Sequence, residues 1–383
     1  MELVFDHVII GGGPAGMACA ITLQKKNAKV LVIDKAVFPR HKTCGGLITK
    51  KTHLLIQELF EQRPEELEFL FRDSVTSVSL YDRTGLLVTA EVSDPMRFAD
   101  RMVFDNALVQ KYKELSGMIL EGEKDYSIDR KNRAILLSGQ RIVHYKNIIF
   151  ADGALSQAQK QPGLAVKKLA FGIETFLSTD QFPLQGMSLH FDYGTDGYIW
   201  VFPYKDQICI GACSYYKGIS EPKEMLRIFL EKYGINLKNL KCQGALAPYG
   251  YTVPQNKLPE DQFLLGDAAG FADPISGEGI YFALRSGIDA AKALLGPVPK
   301  KTYLNSIKSI VRTIHYGQKL KQYFFRPRIQ GIFLRKVKNN PLFVRHFFDT
   351  MVADYCYGYN HMRRFMKDYR KQKPEKQIIS RQS

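Results

Sequence analysis

The feature that most constrains this chain is a glycine-rich loop between a strand and a helix near its start. An apolar run beginning at Val8 is typical of a buried parallel strand, and Gly11, Gly13 and Gly16 follow it with G-x-G-x-x-G spacing. Asp34 ends the next apolar run. Such glycines allow close approach of a pyrophosphate, and the acid holds a ribose hydroxyl. The pattern predicts a dinucleotide-binding α/β unit.

The cofactor class depends on two later strand ends. Asp34, an acid rather than an arginine, disfavours NADP but leaves both NAD and FAD open. The run IIFADG ends in Asp152, and the run FLLGD ends in Asp267, followed by a glycine-studded turn and an apolar helix from Ile280. A strand-end carboxylate can hold a polyol hydroxyl, and a glycine-rich helix start offers N–H groups to electron-rich ring atoms. These segments favour a flavin.

The segment FPRHKTCGG, residues 38–46, places one cysteine among cations and directly before two glycines. Cationic neighbours stabilise a thiolate, and glycine lets backbone approach another group closely. We therefore interpret Cys44 as a thiol held against a ligand. Its chemistry stays open between protonating a substrate, tuning the flavin and filling space.

A strand-like run, GYIWVFPYKDQICIGACSY, carries aromatic residues at every second position. Tyr198, Trp200 and Phe202 should emerge on one face of a strand. The pattern fits either a sheet face packed on the core or an apolar wall beside a site. Cys209 and Cys213 follow in the same run, far from any motif, and receive no role.

The basic excess lies in the last part of the chain. Net charge is +16; residues 300–383 hold 20 Lys and Arg against 4 Asp and Glu, and the remainder holds 34 of each. Three interpretations compete: a surface on anionic lipid, a nucleic-acid surface (the least favoured), and a helical cap with a solvated basic face. The terminal stretch, 370–383, is expected to be disordered.

Other bulk features exclude several classes. The 383 residues suit two or three packed units, and 45% hydrophobic content is that of a folded protein. The six cysteines form no C-x-x-C pair, so no metal site or disulfide framework is predicted. The first strand begins near Val4, leaving no room for a signal peptide, and no apolar run is long enough to span a membrane. We expect a cytoplasmic protein, with peripheral association at the inner face of the membrane.

The motifs GGGPAG, PRHKTCGG, ADG and GDAAGFADPISGEG, in this order, resemble the geranylgeranyl reductase branch of the flavin monooxygenase-like proteins, which share the para-hydroxybenzoate hydroxylase fold. The resemblance covers Phe5 to Leu294 and implies FAD as the cofactor. It assigns the cofactor to Gly11, Gly13, Pro14, Ala15, Gly16, Asp34, Lys35, Cys44, Gly45, Arg101, Asp152, Gly266, Asp267, Gly277, Gly279 and Ile280. It assigns an isoprenoid chain to Gly46 and to the aromatic Y-x-W-x-F-P motif of Tyr198, Trp200 and Phe202. Flavin-dependent halogenases show two tryptophans in that motif, and this chain has one.

The resulting fold prediction is α/β, with a Rossmann-like FAD-binding domain of the para-hydroxybenzoate hydroxylase type. That domain is discontinuous and takes residues 1–72, 98–162 and 245–299. An inserted antiparallel β-sheet substrate domain takes 73–97 and 163–244, and a basic helical C-terminal region takes 300–383.

The predicted function is FAD-dependent reduction of carbon–carbon double bonds in an isoprenoid lipid or quinone side chain, with Cys44 as the candidate catalytic residue. The alternative is an FAD-dependent aromatic or polyketide monooxygenase using NAD(P)H and O₂. Expected partners are a hydrophobic isoprenoid substrate, an electron donor that is NAD(P)H, ferredoxin or a quinol, and an anionic membrane surface met through residues 300–370.

Overall fold

The computed structural model describes residues 2–161, 164, 169–184, 186–194, 196–215, 220–250, 252–324, 326–349 and 367. The strands within these ranges are β1 (Glu2–Ile10), β2 (Val30–Asp34), β3 (Leu47–Ile48), β4 (Phe71–Asp82), β5 (Gly85–Ala99), β6 (Met118–Glu121), β7 (Tyr126–Asp129), β8 (Ala134–Leu137), β9 (Ile142–Phe150), β10 (Leu169–Ser178), β11 (Ser188–His190), β12 (Gly197–Tyr204), β13 (Gln207–Ser214), β14 (Gln243–Pro248) and β15 (Gln262–Leu264). The helices are α1 (Pro14–Gln24), α2 (Lys50–Phe60), α3 (Arg101–Glu114), α4 (Ser220–Glu231), α5 (Ile280–Leu294), α6 (Pro299–Ser306), α7 (Lys308–Phe324), α8 (Pro327–Val337) and α9 (Pro341–Phe347).

A seven-stranded sheet contains the predicted dinucleotide unit. Its parallel part runs β6-β2-β1-β9, with β15 beside β9, and β8 and β7 continue it antiparallel. Ile9, Ile33 and Ile149 are fully buried, as the apolar runs require of strands covered on both faces. The carboxyl ends of β1, β2, β9 and β15 meet at one edge, which is where such sheets bind ligands.

An eight-stranded sheet forms the second layer, in the order β14-β10-β13-β12-β11-β4-β5-β3. Its neighbours pair antiparallel, as predicted, except β11 and β4, which are parallel. The parallel pairing of β11 with β4 was not predicted from the sequence, because β11 has only three residues. Strands β3 and β14 belong to this sheet, although the predicted bounds assign residues 47–48 and 245–248 to the FAD-binding domain.

The two faces of the eight-stranded sheet pack against different partners. One face carries Ile199 and Ile210 and buries them against α4, where Phe229 is fully buried. The opposite face carries Trp200 and Phe202, in one hydrophobic cluster with β4 and β5. We call this second face, defined by Tyr198, Trp200 and Phe202, the aromatic wall.

The C-terminal helices cover part of the same cluster as the aromatic wall. Val337 at the end of α8 and Phe343 and Val344 of α9 are buried in it. A hydrogen bond from Asn339 N to Leu87 O ties the α8–α9 turn to β5. No helix among the described residues is both long and apolar enough to cross a bilayer. The predicted disordered tail, 370–383, lies outside the described residues.

Candidate active site

The glycine loop between β1 and α1 packs backbone against backbone at two of its glycines. A Cβ on Gly11 would collide with the carbonyl of Ala151, and one on Gly16 would collide with the carbonyl of Gly11. A Cβ on Gly13, by contrast, would meet nothing nearer than Arg40 Nη2 at 3.5 Å. Backbone contacts therefore fix the loop at Gly11 and Gly16, whereas the space beside Gly13 is open and would let a phosphate approach.

Asp34 at the end of β2 is attached to this loop. Its carboxylate accepts hydrogen bonds from the backbone N–H of Gly12, at 2.5 Å, and of Ala36, at 2.7 Å. The side chain is buried. These bonds fix the orientation of the carboxylate at the sheet edge.

The sheet edge fits the polyol and ring of a flavin nucleotide. The Asp267 side chain is half-buried and takes part in no hydrogen bond among the described residues, and burial raises its pKa. A Cβ on Gly153 would meet no atom within 4 Å, and one on Gly279 would meet only Asp267 Oδ1, at 3.6 Å. An unsatisfied carboxylate beside the open Gly279 is the environment that ribityl hydroxyls would complete.

The other residues assigned to the cofactor lie around this edge. Pro14 and Ala15 begin α1 and are buried, Gly266 packs against Ala15, and Ile280 begins α5. Lys35 is exposed just after β2, and Asp152, two residues beyond β9, accepts a hydrogen bond from Gln157 N at 2.8 Å.

The segment 38–46 begins close to the glycine loop and ends at the aromatic wall. Near its start, Arg40 pairs with Asp105 of α3 at 3.2 Å. Asp105 is fully buried and also accepts two hydrogen bonds from Arg101, at 2.7 and 2.8 Å. Burial lowers the pKa of the Arg101 guanidinium, but Asp105 and then Cys44 more than reverse that shift. The Cys44 thiol thus lies beside a buried cation.

The two glycines after Cys44 fit against aromatic side chains. A Cβ on Gly45 would lie 2.8 Å from Phe202 Cε2 and 3.1 Å from Trp200 Nε1. Gly46 has φ of +69°, a conformation that favours glycine, and the Tyr204 hydroxyl donates to the carbonyls of Gly45 and Ala99 at 3.3 and 3.1 Å. A side chain at position 45 would therefore collide with the wall.

The aromatic wall also contacts the glycine turn before α5. The Tyr198 hydroxyl donates to the carbonyl of Ser276 at 2.5 Å and would lie 3.6 Å from a Cβ on Gly277. The wall therefore connects the segment around Cys44 with the turn assigned to the flavin ring. Cys44, Gly45, Gly46, Arg101, Tyr198, Trp200, Phe202 and Gly277 come together here, although their positions in the chain span more than half of its length.

Glu174 of β10 is a site residue that the sequence reasoning missed. It is 1% exposed, and its Oε1 accepts the Cys44 N–H at 3.1 Å. Cys209, which had been set aside, donates its thiol to the other carboxylate oxygen at 3.8 Å. Desolvation raises the pKa of Glu174 to about 7. The available signal was an acid at the centre of the apolar run LAFGIETFLS, but its partners depend on strand register.

These features define a flavin-dependent oxidoreductase of the Rossmann type, with a carboxylate-lined cofactor edge and an aromatic wall beside a thiol. The chain belongs to the pyridine nucleotide-disulphide oxidoreductase family, whose model matches residues 5–201. It is an FAD-dependent enzyme similar to the geranylgeranyl reductases.

Individual relatives agree with this placement. An uncharacterized protein of Methanosarcina barkeri is 30% identical over 86% of this chain and 81% of its own length. The digeranylgeranylglycerophospholipid reductase of Methanocaldococcus jannaschii is 26% identical over 76% of each chain. In fold, a geranylgeranyl bacteriochlorophyll reductase-like protein of Thermoplasma acidophilum matches with a TM-score of 0.75 and 18% identity, over 97% of this chain and 98% of its own. The predicted fold class and the FAD cofactor are confirmed.

Proposed function

We propose that this enzyme saturates carbon–carbon double bonds in the isoprenoid chain of a lipid or quinone. One observation carries the proposal: the backbone of Gly45, next to the Cys44 thiol, lies directly against Trp200 and Phe202. An apolar aromatic surface therefore lies next to the residue that carries the thiol. The names of the reductase relatives support an isoprenoid as the substrate class.

FAD held at the sheet edge and reduced would supply the hydride equivalent that one alkene carbon requires. The chain's part is to hold the alkene in a dry slot and to deliver a proton to the other carbon. Tyr198, Trp200 and Phe202 hold the chain, and Cys44 Sγ supplies the proton. Because Cys44 is half-buried, solvent can restore that proton after turnover. NAD(P)H, ferredoxin or a quinol would re-reduce the flavin.

The test is the mass of the lipid. The protein is reduced without oxygen and mixed with liposomes containing geranylgeranyl lipids and polyprenyl quinones, and the lipids are then weighed by mass spectrometry. Each saturated bond should add the mass of one hydrogen molecule while the flavin is reoxidised. A Cys44→Ser variant should slow the reaction, whereas Cys242→Ser, at a half-buried cysteine outside the site, should not.

Unchanged lipid masses, with flavin that is reoxidised only on admitting air, would contradict the reductase. Substrate-stimulated consumption of NADPH in air would then favour the hydroxylase chemistry of this fold.

We also propose that the exposed face of α8 meets an anionic membrane, from which the lipid is collected. Ile329 and Ile332 are 37% and 57% exposed, and the exposed Arg328 and Arg335 flank Ile332 at helical spacing. No Asp or Glu occurs between Lys308 and Phe348. Exposed apolar residues among cations match the requirements of an anionic bilayer surface.

Co-sedimentation with phosphatidylglycerol vesicles tests this surface. Replacing Ile329 and Ile332 together by Ser should weaken binding by about tenfold, because two apolar side chains no longer enter the bilayer. Leu295→Ser is the matched control, since Leu295 is 44% exposed just after α5. Equal sedimentation of the double variant and the wild type would refute the surface.

A further inference from the structure

Glu174 belongs to a cross-strand row of residues on the same face of the sheet as the aromatic wall. In the strand registers, Glu174 lies opposite Gln243 of β14 on one side and Gly211 of β13 on the other, and Gly211 lies opposite Trp200. Residues opposite one another share a face, so the carboxyl group and the indole are on the same side of the sheet. A Cβ on Gly211 would collide with the Trp200 ring. The glycine thus leaves room for the indole next to Glu174.

The hydrogen bonds of Glu174 come from a backbone N–H and a thiol rather than from a cation. Its two oxygens accept the Cys44 N–H and the Cys209 thiol. Lys42 and Arg101 act on it only through their charge. A buried carboxyl group without an ion-pair partner is costly, and such groups concentrate at functional sites.

We propose that Glu174 is a positioning residue, which in its ionised form holds the Cys44 backbone against the aromatic wall and so sets the location of the thiol. The Cys44 N–H is the point of action, because this bond joins the residue that carries the thiol directly to β10. This inference rests on the proposed function for its catalytic meaning, but the contact itself can be tested without a substrate.

The strength of the hydrogen bond from Cys44 N–H to Glu174 should depend on pH. A hydrogen bond to a carboxylate is about twice as strong as one to a neutral acceptor. Burial places the pKa of Glu174 at about 7, so the bond should strengthen as pH rises through that value. The titratable and charged groups facing Glu174 are Cys44, Lys42, Arg101, Cys209 and Tyr204. Of these, Cys209 and Tyr204 have pKa values raised well above their usual range by burial and stay neutral at these pH values.

Amide hydrogen exchange of the FAD-loaded protein measures the hold directly. In the peptide spanning 41–46, with fragmentation resolving the Cys44 amide, exchange at pH 8 should be about tenfold slower in the wild type than in Glu174→Gln. At pH 5.5 the two proteins should agree. A merely structural role would reduce protection equally at both pH values, and equal protection at pH 8 would overturn the proposal.

Two further variants keep the test decisive. Glu174→Asp retains the charge but withdraws it by one methylene, so it should lose protection at pH 8 as the Gln variant does; wild-type protection in Glu174→Asp would count against the proposal. Glu224→Gln, at an exposed acid of α4, should leave the exchange of Cys44 unchanged.

The rate of lipid saturation forms the second arm. In the wild type it should rise as pH passes about 7, and this step should be absent in Glu174→Gln. If the wild type saturates no lipid, the proposed function fails, whereas the exchange result still decides the role of Glu174.

Discussion

The two faces of the eight-stranded sheet differ in what they bury. The face against α4 buries Ile199 and Ile210 with Phe229. On this face the buried His190 shares a hydrogen bond with Ser188, with Oγ and Nε2 2.9 Å apart. The face that carries the aromatic wall contains a buried carboxyl group, Glu174, which is bonded to the segment 38–46. The same strands therefore supply stability on one side and carry a costly polar group on the other. The comparison indicates that the fold carries the desolvation cost of Glu174 because this carboxyl group positions the Cys44 backbone.

The largest expected effect lies on the α4 face. Phe229→Ala should lower the free energy of unfolding by about 4 kcal/mol, because a fully buried ring leaves a cavity. Denaturant unfolding measures this loss, and the flavin spectrum should not change. Phe69→Ala, at a ring that is 60% exposed, is the control and should cost little. A loss at Phe229 no larger than at Phe69 would erase the distinction between the faces.

The next effect is the pH dependence of stability at Glu174. The folded pKa of about 7 lies above the ordinary 4.5, so the charged form is penalised only in the folded state. Stability is fully present below pH 4.5 and is lost as pH rises towards 7, by about 3 kcal/mol in total. Glu174→Gln should therefore be more stable than the wild type at pH 8, as measured by denaturant unfolding. A variant that is less stable at pH 8 would contradict a net penalty on this face.

His190 should show the opposite pH dependence. Burial lowers its pKa from 6.5 to about 3, so the folded state favours the neutral ring. Stability is present above pH 6.5 and falls below it, by about 2 kcal/mol between pH 6.5 and 5. This loss should be absent in His190→Phe and retained in His144→Phe, which replaces a more exposed histidine. An equal acid sensitivity of all three proteins would assign the loss elsewhere.

The smallest expected effect on stability is at Gly45. In Gly45→Ala the new methyl group must displace the Phe202 ring, at a cost of about 1 kcal/mol. Its effect on lipid saturation should be much larger, because the proposed substrate slot beside Cys44 would change shape. Gly186→Ala is the control, since a Cβ there meets no atom within 4 Å. An active Gly45→Ala variant would argue against a substrate slot at this contact.

The sequence predicted those features whose chemistry is local. The glycine loop, Asp34, the strand-end acids and the alternation of Tyr198, Trp200 and Phe202 all lie within short stretches, so their geometry follows from backbone periodicity. FAD and the fold class followed from the order of those stretches.

The rest depends on pairings between distant strands. Glu174 meets Cys44 across 130 positions of the chain, and Gly211 matters only because it lies opposite Trp200. Neither register can be derived from one sequence, since a shift of one residue would turn Glu174 to the α4 face. Cys209 was passed over for the same reason.

The packing of α8 and α9 on the cluster around the aromatic wall has a consequence for biosynthesis. Both helices follow every strand of the eight-stranded sheet in the chain, so a ribosome makes the wall long before it makes Val337, Phe343 and Val344. Until those residues emerge, a nascent chain presents an uncovered apolar surface, the kind of surface on which aggregation and chaperone binding begin. If translation stops before α8, the FAD-binding unit is complete, but the apolar surface around the aromatic wall stays uncovered.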